Sequence, residues 1–153
     1  MSKNVLIVMC GLPASGKSTY SEWLAINANF HRICPDIIRK DLYGDENIQG
    51  DGKKVFSIAH YQMATIGQLR GNVVFDATNI DRKTRKNLVK KMRPYFDVIM
   101  CKLFATPLET CLYRNSLRER QVPKEVIERM WNNFDKPSMS EGFDLVEEVK
   151  NYW

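Results

Sequence analysis

Apolar and polar positions alternate in short blocks along the chain. Val5 to Cys10 (VLIVMC) is apolar without a break, the pattern of a strand covered on both faces in a parallel sheet. A glycine-rich turn, GLPASGKST, follows it and predicts a strand-to-helix junction, with a helix from about Lys17 to Asn29. Phe30 to Cys34 is a short second strand. Pro35-Asp36 opens a short helix that ends near Gly44. Val55, Ala59, Met63 and Ile66 recur at helical spacing through Lys53 to Leu69, and Gly71 stops that helix. Val73 to Phe75 is a third strand, residues 81–93 are helical up to Pro94, and Val98 to Phe104 is a fourth strand. Two helices, Leu108 to Arg118 and Lys124 to Phe134, are separated by a break at Val122-Pro123, and Phe143 to Val149 reads as a last strand.

Strands alternating with helices, with no repeat and no linker, predict one α/β domain over residues 1–153 with a mostly parallel sheet of four to five strands. A length of 153 residues suits one domain with a sizeable core. Ligands of such folds bind beyond the carboxyl ends of the strands. That rule aligns Gly11, Asp36 and Asp76, each just past a strand.

Composition narrows the classes. Hydrophobic residues make up 44% and charged residues 27%, which excludes a disordered acidic chain. No apolar run approaches the roughly 18 residues of a membrane span. The apolar run near the N-terminus is shorter than a signal peptide's core. Cys10, Cys34, Cys101 and Cys111 have no CxxC spacing, and only His31 and His60 offer imidazole. A reduced, cytoplasmic protein is therefore expected, in the host cytoplasm if a phage encodes it. The net charge is +5, and residues 81–93 alone carry seven positive charges against one negative. The charge excess thus sits in one predicted helix. That helix either steers a polyanion or is a solvated face.

Gly11 to Ser18 matches GxxxxGK[ST] between a strand and a helix, where the chemistry requires it. Its glycines let backbone amides turn toward phosphate, and the helix start adds its positive dipole end. Lys17 would reach the β- and γ-phosphates of ATP, and the Ser18 hydroxyl would bind Mg²⁺. Pro13, Ala14, Ser15, Gly16 and Thr19 complete the loop. A dinucleotide fold would need GxGxxG, a GTPase NKxD, and a protein kinase HRD and DFG; all are absent. A compact phosphotransferase remains.

A kinase acting on a hydroxyl needs a carboxylate near that hydroxyl and cations around the γ-phosphate. Asp36 and Arg39, three apart, share a helix face. Asp36 is either the general base or only an N-cap. Asp76 ends a strand of Walker B shape and either lies near Mg²⁺ or caps the next helix and orients a neighbour. Thr78 and Asn79 either touch substrate or shape the turn. Arg114 and Arg118, four apart, share a face of the predicted helix, whereas Arg120 points elsewhere if the helix continues. The arginine pair is either a lid over a nucleotide, spanning about residues 108–135, or a solvated face.

Together GLPASGKST, PDIIR, FDATN and YRNSLR resemble the kinase domain of polynucleotide 5′-hydroxyl kinases, especially the bacteriophage form, over roughly residues 4–135. The resemblance implies the P-loop kinase fold and ATP-dependent phosphorylation of 5′-hydroxyl ends of DNA or RNA. It implies that Asp36 is the base, that Arg39 contacts the phosphate next to the terminal nucleoside, and that Arg114 and Arg118 engage ATP. Asp76 would support the site, and Val122 would pack on the terminal base, although the spacing to it is shorter than in the phage form. The DxDxT sequence of the phosphatase domain in phage members is absent, so kinase activity without phosphatase activity is expected. Two alternatives stand beside this: a kinase of a small metabolite or nucleoside, and a non-catalytic nucleotide-binding module.

Overall fold

The computed structural model describes residues 2–150. Five strands form one sheet: β1 (Val5–Gly11), β2 (Phe30–Ile33), β3 (Asn72–Phe75), β4 (Val98–Phe104) and β5 (Leu145–Val149). Their order is β2-β3-β1-β4-β5, and every pairing is parallel. Six helices cover it: α1 (Lys17–Asn27), α2 (Pro35–Tyr43), α3 (Gly52–Gln68), α4 (Arg82–Met92), α5 (Leu108–Ser116) and α6 (Lys124–Asn132).

The two-residue period of β1 explains why its apolar run has no polar break. Leu6, Val8 and Cys10 pack on one face with Val55, Ala59 and Met63 of α3 and Leu88, Val89 and Met92 of α4. Ile7 and Met9 pack on the other with Leu24 of α1. A third cluster, Leu12, Cys111 and Ile127, seats α5 and α6 beside the loop that follows β1.

The chain leaves β1 through α1 on one face and leaves its neighbour β3 through α4 on the other. This reversal between adjacent strands opens a crevice at their carboxyl ends, the expected ligand position in such a sheet.

Four boundaries differ from the sequence reading by two residues, among them the end of α6, at Asn132 instead of Phe134. α1 stops at Asn27, because Asn29 adopts φ +59° and turns the chain into β2. β5 begins at Leu145, two residues late. α5 ends at Ser116 instead of running to Arg118, and the backbone turns there with the Arg118 amide donating to Asn115 O. No helix among the described residues is long and apolar enough to cross a membrane.

Candidate active site

The crevice is a cleft of about 980 Å³. The loop between β1 and α1 forms one wall. Gly11 is required by close approach: a Cβ there would meet Ser15 Oγ at 2.8 Å and Phe104 O at 3.0 Å. Ala14 and Gly16 take φ +63° and +106°, which turns successive amides toward one concavity, an anion-binding nest at the start of α1. Thr106 Oγ1 donates to Ser15 O at 2.9 Å and ties the loop to the end of β4.

Lys17 Nζ lies back along this loop, donating to Gly11 O at 2.9 Å and Leu12 O at 2.6 Å. Burial pushes its pKa below the usual lysine value, and the nearby Arg118 charge adds to the effect. An ammonium held against its desolvation cost, with a second cation near it, favours a highly charged anion between them. Pro13, Ala14, Gly16, Ser18 and Thr19 line the cleft with Lys17, while Gly11 and Ser15 lie behind it as supports.

The opposite wall starts at α2. Pro35 sets the first helical position and Cys34 occupies the N-cap, so Asp36 is not the cap. Its carboxylate is turned to other partners. Arg39 Nη1 donates to Asp36 Oδ1 at 2.9 Å. Arg39 Nε is buried and is the only such side-chain atom among the described residues without a hydrogen-bond partner. Buried polar groups are normally paired, so an open donor beside Asp36 stands out.

Asp76 closes the floor. Its Oδ2 accepts from Ser21 Oγ and from Arg32 Nη2, each at 2.7 Å, and Arg32 Nε donates to Ser21 Oγ at 2.7 Å. The helix-cap alternative for Asp76 is overturned, because Asp81 caps α4 by accepting from the Thr84 amide at 2.9 Å. Thr78 lines the cleft, and its carbonyl accepts from the Gly11 amide at 2.9 Å. Of the two alternatives for Asn79, the structure favours the turn over substrate contact, since its side chain points inward. It is buried, takes φ +45°, and donates to Met9 O at 2.6 Å. Its side chain holds the turn that supports the end of β1.

The lid supplies the roof. Arg114, Arg118 and Val122 all line the cleft. Arg118 does so from the turn beyond α5, not from the same helix face as Arg114. Asn115 clasps the loop that returns from this turn: it donates to Val122 O at 2.8 Å and accepts from the Val122 amide at 3.0 Å. The early end of α5 also corrects the reading of Arg120. It swings back into the cleft, where Nε donates to Asn47 Oδ1 at 2.7 Å and Nη1 stands 3.6 Å from Asp36 Oδ2.

Sequence reasoning missed Arg120, Arg32 and Asn115. Period two in β2 puts Arg32 on the face opposite the core residue Ile33, toward α1, which is a signal that was available. Nothing local in Ser116 to Arg120 announces a helix end, so the position of Arg120 had no such signal.

The set of donors fits a nucleoside triphosphate: a nest of amides, one buried ammonium and two lid guanidinium groups. Among the described residues no group of three or more His, Cys, Asp or Glu could hold a metal ion. Ser18, through its hydroxyl, and Asp76, whose Oδ2 accepts from Ser21 and Arg32, are the residues that would hold Mg²⁺ together with phosphate oxygens and water.

Residues 6–137 match the AAA domain family, AAA_33. The chain belongs to this family and is a P-loop kinase domain. The kinase domain is 26% identical over 144 residues to an L-seryl-tRNA(Sec) kinase of Methanococcus maripaludis, covering 92% of this chain and 56% of that one. It is 24% identical over 164 residues to a bifunctional polynucleotide phosphatase/kinase of Schizosaccharomyces pombe, covering 97% and 36%. The chain spans between 16% and 56% of the length of the curated relatives it matches. In fold it is similar to a chain of the Pnkp1/Rnl/Hen1 RNA repair complex, with a TM-score of 0.78 at 23% identity over 87% of this chain and 44% of that one. A gluconokinase from Sinorhizobium meliloti is also similar, with a TM-score of 0.67 at 18% identity over 97% and 83%.

Proposed function

We propose that this kinase domain transfers the γ-phosphate of ATP to the 5′-hydroxyl end of DNA or RNA. One observation carries the reading. Across the cleft from the phosphate loop, a carboxylate for a hydroxyl proton stands beside a buried guanidinium donor with no partner, Asp36 and Arg39 Nε. A nucleic-acid end offers both features, a hydroxyl to be phosphorylated and a neighbouring phosphodiester. The likeness to a polynucleotide phosphatase/kinase supports a nucleic-acid acceptor.

In this reading Asp36 accepts the proton as the hydroxyl oxygen attacks in line. Arg39 holds the adjacent phosphate through Nε. Lys17 leaves the loop carbonyls for the β- and γ-phosphates, and Arg114 and Arg118 neutralise charge from the lid. Val122 lies against the terminal base. Mg²⁺, when bound beside Ser18, supplies further neutralisation of phosphate charge. Asp76 positions Arg32 and Ser21 beneath the loop. The domain works as a kinase without a phosphatase.

The test is transfer of labelled phosphate from ATP to a 5′-hydroxyl oligonucleotide, set against nucleosides and sugars, with 3′-phosphate release followed in parallel. The fold likeness to a gluconokinase makes the sugar arm a real competitor. Phosphorylation of a sugar or nucleoside in preference to the oligonucleotide would replace the proposal with the small-acceptor reading. ATP binding with no acceptor-dependent ADP would replace it with a nucleotide-binding module.

A further inference from the structure

Arg120 is the residue of the cleft that the proposed reaction leaves without work. It lies beyond the end of α5, and its guanidinium reaches across to the segment that joins α2 to α3. Nε donates to Asn47 Oδ1 at 2.7 Å and stands 3.3 Å from Glu46 Oε1. Nη1 stands 3.6 Å from Asp36 Oδ2. Among the described residues, every hydrogen bond and ion pair between the lid and the segment 36–51 passes through this one side chain. With Arg39 on Oδ1 and Arg120 facing Oδ2, the Asp36 carboxylate has a guanidinium at each oxygen.

An incoming hydroxyl competes with Arg120 for Asp36 Oδ2, from which Nη1 stands 3.6 Å. Entry of an acceptor therefore displaces Arg120 from one carboxylate and loosens it from a second. A neutral acceptor offers nothing in return, and the guanidinium would lose two anionic neighbours. An acceptor that brings a phosphate to the same corner replaces them. Arg39, on the other oxygen of Asp36, keeps its Nε without a hydrogen-bond partner.

We infer that Arg120 is a specificity-determining residue: it rests on Asp36 and Glu46 until an acceptor's phosphodiester takes it over, so the site admits phosphate-bearing acceptors and resists neutral ones. This rests on the acceptor reading above and adds to it a lid residue that reads acceptor charge. The exchange is one of partners only, with no bond made or broken. It also couples closure of the lid to the acceptor, because the same side chain belongs to both walls.

The experiment is calorimetric binding of a 5′-hydroxyl dinucleotide and of its uncharged methylphosphonate counterpart, in the presence of ADP. Wild type should prefer the charged form. Arg120→Ala should lose about 10- to 100-fold on the charged form, the range for one charge-assisted hydrogen bond, and should bind the uncharged form at least as tightly as wild type, because no arginine has to leave Asp36 and Glu46. The uncharged form thus serves as the control for folding. Glu46→Gln, which weakens the resting contact, should bind the charged form more tightly. An unchanged charged-to-uncharged ratio in Arg120→Ala overturns the inference, as does wild type that binds neither form or both equally. Transfer assays on the same dinucleotide separate the two ideas. Charge-selective binding without transfer counts against the kinase reading alone, and transfer with an unchanged ratio counts against Arg120 alone.

Discussion

Arg85 Nε donates to Glu141 Oε1 at 2.6 Å where neither side chain meets solvent. Arg85 Nη2 reaches the other carboxylate oxygen at 3.1 Å, and Nη1 donates to Asn79 O at 2.7 Å. The pair thus fastens the residues before β5 to the turn under the phosphate loop. Removing Glu141 leaves Arg85 buried without a carboxylate, and removing Arg85 leaves Glu141 only the exposed Arg82 at 3.5 Å; breaking such a buried pair costs about 3–5 kcal/mol. Arg85→Met or Glu141→Gln should each lower the unfolding free energy read from urea titration by that amount, while the double change Arg85→Met with Glu141→Leu should recover much of it. Single variants as stable as wild type would show that the pair is not a buried bond in solution.

Asp36 and Lys17 should fail in different ways. Asp36→Asn keeps the shape of the side chain but cannot accept the proton. It should lower transfer by about 10²- to 10⁴-fold with ATP affinity intact. Lys17→Met removes the phosphate ligand together with two bonds to loop carbonyls. It should weaken ATP binding by about tenfold or more. Nucleotide fluorescence titration beside the transfer assay reads both, and full turnover by Asp36→Asn would remove its role as base.

The exposed lysines of α4 bear on long acceptors. The structure reduces the apparent basic stripe, since Arg85 is buried on Glu141 and Arg93 Nη1 donates to Asp144 Oδ2 at 2.7 Å. Lys83, Lys86, Lys90 and Lys91 remain exposed. Neutralising Lys86, Lys90 and Lys91 should weaken a long oligonucleotide more than a dinucleotide. It should also flatten the salt dependence by about 0.7 per lost phosphate contact. Equal effects on both lengths would separate this charge from acceptor binding.

Acid should loosen the fold through two aspartates. Arg93 and the Ile99 amide hold Asp144 below the usual aspartate pKa. Arg70 and the Asn4 amide do the same for Asp97. A carboxyl whose pKa is lower in the folded state stabilises fully above its unfolded value and loses that contribution as pH falls through the folded value. The urea midpoint should therefore decline from roughly pH 5 toward pH 2. Asp144→Asn should start lower at neutral pH and decline less steeply. An identical slope in that variant would take Asp144 out of the acid transition.

The strand-helix alternation was legible because the parallel sheet is covered on both faces, so its strands appear as unbroken apolar runs such as Val5 to Cys10. The phosphate loop was legible because its conformation demands glycine and small residues at fixed offsets, as at Gly11 and Gly16. Asp36 and Arg39 were legible because helical spacing fixes their shared face. What was not legible depends on tertiary contact. The end of α5 at Ser116 carries no glycine or proline, so Arg118 was placed on the helix when it lies on the turn beyond, and the return of Arg120 to the cleft was not foreseen. Asn79 lies in a motif that suggested substrate contact, yet its left-handed backbone and inward amide follow from the close approach of the β1 end. Arg85 stood within a run of charges that read as a surface, and only its distant partner Glu141 draws it into the core.

The most direct measurement of the central claim is transfer of labelled γ-phosphate from ATP to matched DNA and RNA 5′-hydroxyl oligonucleotides by wild type and Asp36→Asn. The account predicts labelled 5′ ends with wild type, none above background with Asp36→Asn, and ATP bound by both. A folded, ATP-binding wild type that labels neither oligonucleotide would contradict it.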